Sequence, residues 1–164
     1  MILRLALAAV VATASLGARP AAKTGLPTVS CDRIILRVGS GRAGGYRVVL
    51  GVISVPPAYG PQVVRIRGRS WPFWRKAGLV VRGDAGPVLV SVPRAWRTRA
   101  AITWGNSAIA SRLRIARCPA VPPKVWNAYA GGFYLRSRSA CVPLIFGVGQ
   151  RAKTVRFGLA KRCA

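Results

Sequence analysis

Apolar and polar residues alternate along most of the chain, and the alternation predicts strands. Ile34, Leu36 and Val38 interleave with Arg33 and Arg37, which describes a half-buried strand with a basic outer face. Residues 46–55 are apolar on both faces, as a central strand would be, and end at Pro56-Pro57. Over residues 62–67, Arg65 and Arg67 fall on one face and Val64 and Ile66 on the other. Residues 79–82 and 88–92 flank a turn at Gly83-Asp84-Ala85-Gly86-Pro87. Next, Trp96, Thr98, Ala100, Ile102 and Trp104 share one side of a strand whose other side carries Arg97, Arg99 and Thr103. Leu113 and Ile115 alternate with Arg112 and Arg114. A Pro-rich connection at 119–123 leads to Trp126, a Gly131-Gly132 break and a strand over 133–136. A hairpin with arms 142–148 and 154–159 closes the set.

No window carries the period of a helix, and Pro and Gly interrupt every long segment. Short strands at roughly 8–12 residue spacing, with turn residues between them, predict an all-β fold. The expected architecture is an antiparallel β-sandwich, loosely immunoglobulin-like in plan, although the cysteine spacing is longer than in those domains.

Residues 1–18 read as a secretory signal: Arg4 gives a small positive n-region, an apolar run follows, and Ala14 and Ala18 offer small-residue cleavage sites. The run is shorter than the about 20 apolar residues that cross a bilayer, so no transmembrane segment is expected. Thr28-Val29-Ser30 before Cys31 does not match a lipid-attachment signal. The expected organisation is a leader (1–18), a flexible lead-in (19–30) and a single all-β domain (31–164), in a secreted or extracytoplasmic protein.

The cysteines agree with export. Cys31, Cys118, Cys141 and Cys163 contain no C-x-x-C pair, and an even number of them behind a leader predicts disulfides. The expected bridges are Cys31–Cys118, clamping two sheets with Trp96 or Trp104 against it, and Cys141–Cys163 near the open end of the last hairpin. Setting Phe146 opposite Phe157 and Leu144 opposite Leu159 leaves Cys141 and Cys163 one residue out of register. Frayed strand ends or a bulge at Gly147 or Gly158 would then be needed to close the bridge.

Composition narrows the chemistry. The chain has 27 Lys and Arg against 2 acidic residues and no His, a formal net charge of +25, with 52% hydrophobic residues. That apolar content is enough for a core and sets it apart from a disordered basic tail. Without His or Glu, the familiar nucleophilic triads, His-bearing zinc sites and paired-carboxylate machinery lack their parts. Asp32 and Asp84 are far apart in the chain. No enzymatic activity, cofactor or metal is expected.

Three short motifs read as turns. Gly39-Ser40-Gly41-Arg42-Ala43-Gly44 spells a dinucleotide fingerprint, but a strand follows it and no acid stands near position 60. Residues 147–154 approach a P-loop with Ala152 at the second Gly position, and again strand follows. Arg82-Gly83-Asp84 matches an adhesive tripeptide, yet Gly-Asp is ordinary turn chemistry.

Functional promise lies in basic and aromatic residues. Alternating Arg65/Arg67, Arg97/Arg99 and Arg112/Arg114 present guanidinium groups suited to phosphate or carboxylate. Trp71 and Trp74 lie beside Arg75 and Lys76, and Trp126, Asn127, Tyr129, Phe133 and Tyr134 form a second aromatic cluster. Such rings stack on sugars or bases when exposed and plug the ends of a sandwich when buried. The expectation is a binding module of the cell envelope or extracellular space, engaging an anionic polymer or surface through Arg65, Arg67, Arg97, Arg99, Arg112 and Arg114, with Trp71 and Trp74 for stacking. Sequence-specific nucleic-acid binding is not expected, and the sequence identifies no protein partner. The alternative is a structural or protein-interaction module whose basic surface is incidental.

Overall fold

The computed structural model describes residues 25–122 and 124–164. The leader and the first part of the lead-in, residues 1–24, lie outside the described residues. The chain enters with β1 (Thr28–Val29), β2 (Leu36–Val38), β3 (Arg47–Val49), β4 (Ile53–Val55) and β5 (Tyr59–Gly60). It continues through β6 (Val64–Arg65), β7 (Phe73–Lys76), β8 (Leu79–Arg82), β9 (Val88–Ser91) and β10 (Ala100–Trp104). The last third carries β11 (Arg112–Ile115), β12 (Trp126–Tyr129), β13 (Gly131–Leu135), β14 (Ala140–Val148) and β15 (Arg151–Leu159). Three short 3-10 turns are the helical content of the described residues.

The strands form a six-stranded sheet (β1-β11-β9-β14-β15-β5), a four-stranded sheet (β10-β13-β7-β6) and a five-stranded sheet (β2-β12-β8-β4-β3). The two smaller sheets are parts of one bent layer. Phe73↔Leu135, Lys76↔Gly132, Leu79↔Tyr129 and Arg82↔Trp126 keep one antiparallel register throughout. The β7–β8 segment and the β12–β13 segment therefore each run from one small sheet into the other. At the corner, Ala77 N–H donates to Gly131 O at 2.8 Å, and the buried Trp104 Nε1–H donates to Ala77 O at 2.8 Å.

The Gly131-Gly132 pair, expected as a break, lies inside β13 at this corner. A Cβ on Gly131 would run into the Thr103 carbonyl oxygen, and one on Gly132 into that of Arg75. Glycine is what lets three strands approach so closely.

The bent layer packs on the six-stranded sheet, giving an all-β, sandwich-like fold with two disulfides. Ile102, Phe133 and Leu135 face the core from the four-stranded sheet, Ile53, Leu79 and Val81 from the five-stranded one, and Val90, Leu144 and Phe157 from the six-stranded one. Phe133 meets Phe157 across the layers with ring centroids 5.3 Å apart, and Trp104 meets Phe133 edge-on at 6.0 Å.

Several details depart from the sequence pattern. Residues 46–55 form a hairpin, because Leu50 (φ 53) and Gly51 (φ 76) take successive left-handed conformations that suit a tight reversal. Residues 96–104 are not one strand. Pro93 opens a 3-10 turn at Arg94–Trp96, Trp96 N–H donates to Pro93 O at 2.8 Å, and the strand starts only at Ala100. β2 is an edge strand, and Leu36, expected to face inward, is 59% exposed beside Ile35 at 66%. Thr28–Val29, assigned to the lead-in, pairs in parallel with β11.

Both expected disulfides are present. Cys31–Cys118 (Cα–Cα 5.5 Å) closes the β1–β11 ladder just past its end, within one sheet rather than between opposed sheets. In the final hairpin, Leu144 pairs with Val155 and Phe146 with Lys153, so the ladder is shifted four residues from the expected pairing (Val155 in place of Leu159). No bulge closes Cys141–Cys163 (Cα–Cα 5.2 Å). Cys141 lies opposite Gly158, the chain reverses at Ala160 (φ 54), and the tail folds back over Gly158, where a Cβ would strike the Lys161 carbonyl.

Candidate functional site

The four-stranded sheet buries Ile102, Phe133 and Leu135 on its inner face, so strand alternation assigns the neighbouring positions to the outer face. One outer row runs Ala101–Tyr134–Trp74–Val64. The row on one side holds Thr103, Gly132 and Lys76. On the other side Arg136 N–H donates to Arg99 O at 3.0 Å, which extends the ladder and sets these two arginines side by side. Trp74 and Tyr134 lie with centroids 4.7 Å apart and planes tilted by 44°. A cationic row thus stands at one end, an aromatic row in the middle and Lys76 at the other end.

At the arginine end each guanidinium rests on an indole. Arg99 lies 4.0 Å over Trp96 and donates to Ala95 O at 3.0 Å. Arg136 lies 4.5 Å over Trp71 and donates to the Ser70 carbonyl. The stacks hold these exposed arginines in place, while each uses a single hydrogen-bond donor within the fold. The remaining in-plane donors keep the fork geometry that matches phosphate, sulfate or carboxylate. Arg97 is tied to Val92 O at 3.4 Å, Arg65 pairs with Phe73 in the edge strand β6, and Arg67 follows in the next turn.

Of the sequence-selected residues, Arg65, Arg67, Arg97, Arg99, Trp71 and Trp74 therefore belong to this sheet and its flanking turns. Arg112 and Arg114 do not. They stand on β11 in rows with Ser91 and Ile145 and with Leu89 and Gly147, beside a shallow trough of about 550 Å³ on the six-stranded sheet. The second aromatic cluster divides: Tyr134 is on the outer face, while Trp126, Asn127, Tyr129 and Phe133 are buried. Lys76, named from sequence beside Trp71 and Trp74, and Arg136, which was not singled out there, complete the surface. The alternation of Phe133 and Leu135 with Tyr134 and Arg136 carries that signal.

The negative charge is compensated where it occurs. Asp32 lies 3.1 Å from Arg33 and Asp84 2.5 Å from Arg82, and these are the ion pairs among the described residues. The Ser30 hydroxyl hydrogen-bonds Asp32 and, with Arg33, holds its carboxyl below the ordinary aspartate value against some desolvation. No group of three or more metal-ligating side chains occurs among the described residues.

The short motifs take structural roles. In Arg82-Gly83-Asp84 the two charged side chains engage each other, and Gly83 is buried so tightly that a Cβ would meet Ala120. The Gly39–Gly44 loop covers Trp126, with 2.8 Å between that ring and a Cβ placed on Gly41, and the Ser54 hydroxyl donates to the Gly41 carbonyl. The P-loop-like segment is the β14–β15 hairpin, turning at Gly149 (φ 56).

No protein-family model, no curated protein and no solved structure matches this chain.

Proposed function

We propose that this protein is a secreted, non-enzymatic binding module of the cell envelope or extracellular space that engages an anionic polymer through its arginines. The observation that carries the reading is the pair of indole-stacked arginines, Arg99 and Arg136, adjacent on one exposed sheet end, with Arg97 in the turn that leads into it. Ordering a long side chain usually opposes binding. Here the stacks have already ordered two of them. With both acids neutralised by neighbouring arginines, the molecular field attracts polyanions from any approach, and the stacked pair supplies a fixed point of capture. The two disulfides favour an oxidising compartment.

The test compares polyphosphate binding by the wild type with two charge-matched double variants, Arg99→Ala/Arg136→Ala and Arg112→Ala/Arg114→Ala. Affinity should fall steeply between low and physiological salt, as counter-ion release requires. The first variant should lose about tenfold more affinity than the second, the equivalent of about one charge-assisted contact. Salt-insensitive binding would remove the electrostatic account, and equal losses would replace a shaped site by diffuse attraction. A second reading, a protein-interaction module, is favoured by the exposed Leu36 on edge strand β2 and the exposed Ile35 just before it. It requires a protein partner retained at high salt.

A further inference from the structure

Between the Trp74–Tyr134 pair and the β10–β13 corner lies a notch of about 410 Å³, lined by Trp74, Tyr134, Lys76, Thr103, Asn106 and Gly131 among others. We propose that this notch is a saccharide subsite that takes one ring of an acidic polysaccharide, a uronic-acid unit. This assignment rests on the anionic-polymer reading above and adds the identity of the repeating unit.

The chemistry of the walls supports a sugar. Trp74 and Tyr134 are both partly exposed and packed against each other, with ring centroids 4.7 Å apart, so the pair presents one aromatic surface on which the apolar face of a pyranose ring can lie. At Gly131 the lining of the notch is backbone, with no side chain projecting into it. Across the notch, Thr103 Oγ donates to Ser107 O at 2.8 Å and lies 3.3 Å from Ser107 Oγ, which sets two hydroxyls side by side for a ligand hydroxyl. Asn106, exposed in the turn after β10, adds a side-chain amide to the lining of the same notch. A stacked ring flanked by hydroxyl and amide groups is how a polyhydroxylated ligand is distinguished from an apolar one.

Charge selects the acidic sugar. Lys76 is exposed, takes part in neither of the ion pairs, and lies two positions along the strand from Trp74, about 7 Å away. That places its ammonium within reach of a carboxylate on the edge of a stacked ring. Arg136 stands a similar distance from Tyr134 on the opposite side, so the next acidic unit of a polymer would meet the stacked arginine pair. A single-stranded nucleic acid offers the same alternation of rings and anions. It would stack successive bases on several rings, whereas the aromatic lining of this notch is the single Trp74–Tyr134 pair beside the Thr103 and Ser107 hydroxyls.

The experiment titrates the full chain with an oligomer of uronic acid, its carboxyl-reduced neutral counterpart, polyphosphate of matched charge and a single-stranded oligonucleotide, all at one ionic strength. The uronate oligomer should bind tightest and perturb tryptophan fluorescence. Trp74→Ala and Lys76→Gln should each weaken uronate binding about tenfold, and each should weaken it about fivefold more than it weakens polyphosphate binding. Lys76 is exposed, so its variant tests the site even if loss of Trp74 disturbs folding. Equal affinity for uronate and polyphosphate, with neither variant discriminating, overturns the subsite and leaves the anion reading standing. Failure of both polymers to bind overturns both. Tightest binding to the oligonucleotide with the same dependence on Trp74 reassigns the notch to nucleic acid and overturns the glycan.

Discussion

Tyr129 shows how one residue reports the character of the core. It sits on the inner face of β12, 1% exposed, with no hydrogen-bond partner for its hydroxyl. Two positions away Asn127 Nδ2 donates to Cys118 O at 2.7 Å while its Oδ1 also lacks a partner. Burial pushes the Tyr129 hydroxyl up to about 12, against an opposing pull from Arg37. In the unfolded chain a tyrosine ionises near pH ~10. Below that pH both states hold the proton, and the group contributes no pH dependence. Between about pH 10 and 12 the unfolded state alone releases it, so stability falls by about a kcal/mol for each pH unit. Tyr129→Phe should therefore raise the alkaline midpoint of thermal unfolding while leaving the neutral-pH melting temperature unchanged or higher, because it deletes an unpartnered buried hydroxyl. A large destabilisation at pH 7 would mean that the hydroxyl has a partner after all.

Elements show what alternation can and cannot encode. The existence of the final hairpin was legible, and so was its cysteine pair, but its register was not. Leu144, Phe146, Val155, Phe157 and Leu159 present the same face in any pairing that slips by an even number of residues, so the hydrophobic pattern is blind to a shift of four. The tight turn at Gly149-Gln150 decides it. Alternation likewise ran through Trp96, where Pro93 turns the chain, and stopped at Gly131-Gly132, where close backbone approach requires glycine within a strand. The corrected register also says what the Cys141–Cys163 bridge does. It pins a reversed tail onto the end of an already complete ladder. Replacing both cysteines by Ser should cost about 2–4 kcal/mol, the usual range for a native bridge. Amide exchange should rise at residues 160–163 and at Gly158 while Leu144 and Val155 keep their protection. Loss of protection along the whole hairpin would show that the bridge sets the register.

On the scale of the whole molecule, the charge was readable from composition and its distribution was not, because strand order decides which arginines meet. The order β10-β13-β7-β6 joins Arg99 to Arg136 and brings Arg65 and Arg67 to the same sheet, while Arg112 and Arg114 go to another layer. A net charge of +25 with two acids, both already paired, means that folding brings like charges together with little internal compensation. Self-repulsion should then be a measurable part of the folding free energy, and it should respond to ions in two separable ways. Simple salt screens the repulsion everywhere, so the melting temperature should climb with added sodium chloride and level off once the Debye length falls to a few ångströms. A polyanion at fixed ionic strength adds binding to the folded state, worth about 3 kcal/mol at a hundredfold excess over its dissociation constant, and so should raise the melting temperature by several degrees more. Calorimetry across both titrations separates the two contributions. If Arg99→Ala/Arg136→Ala removes the polyanion increment but keeps the salt increment, the stacked pair is the point of capture. If the polyanion adds nothing beyond simple salt in the wild type, the surface screens without binding.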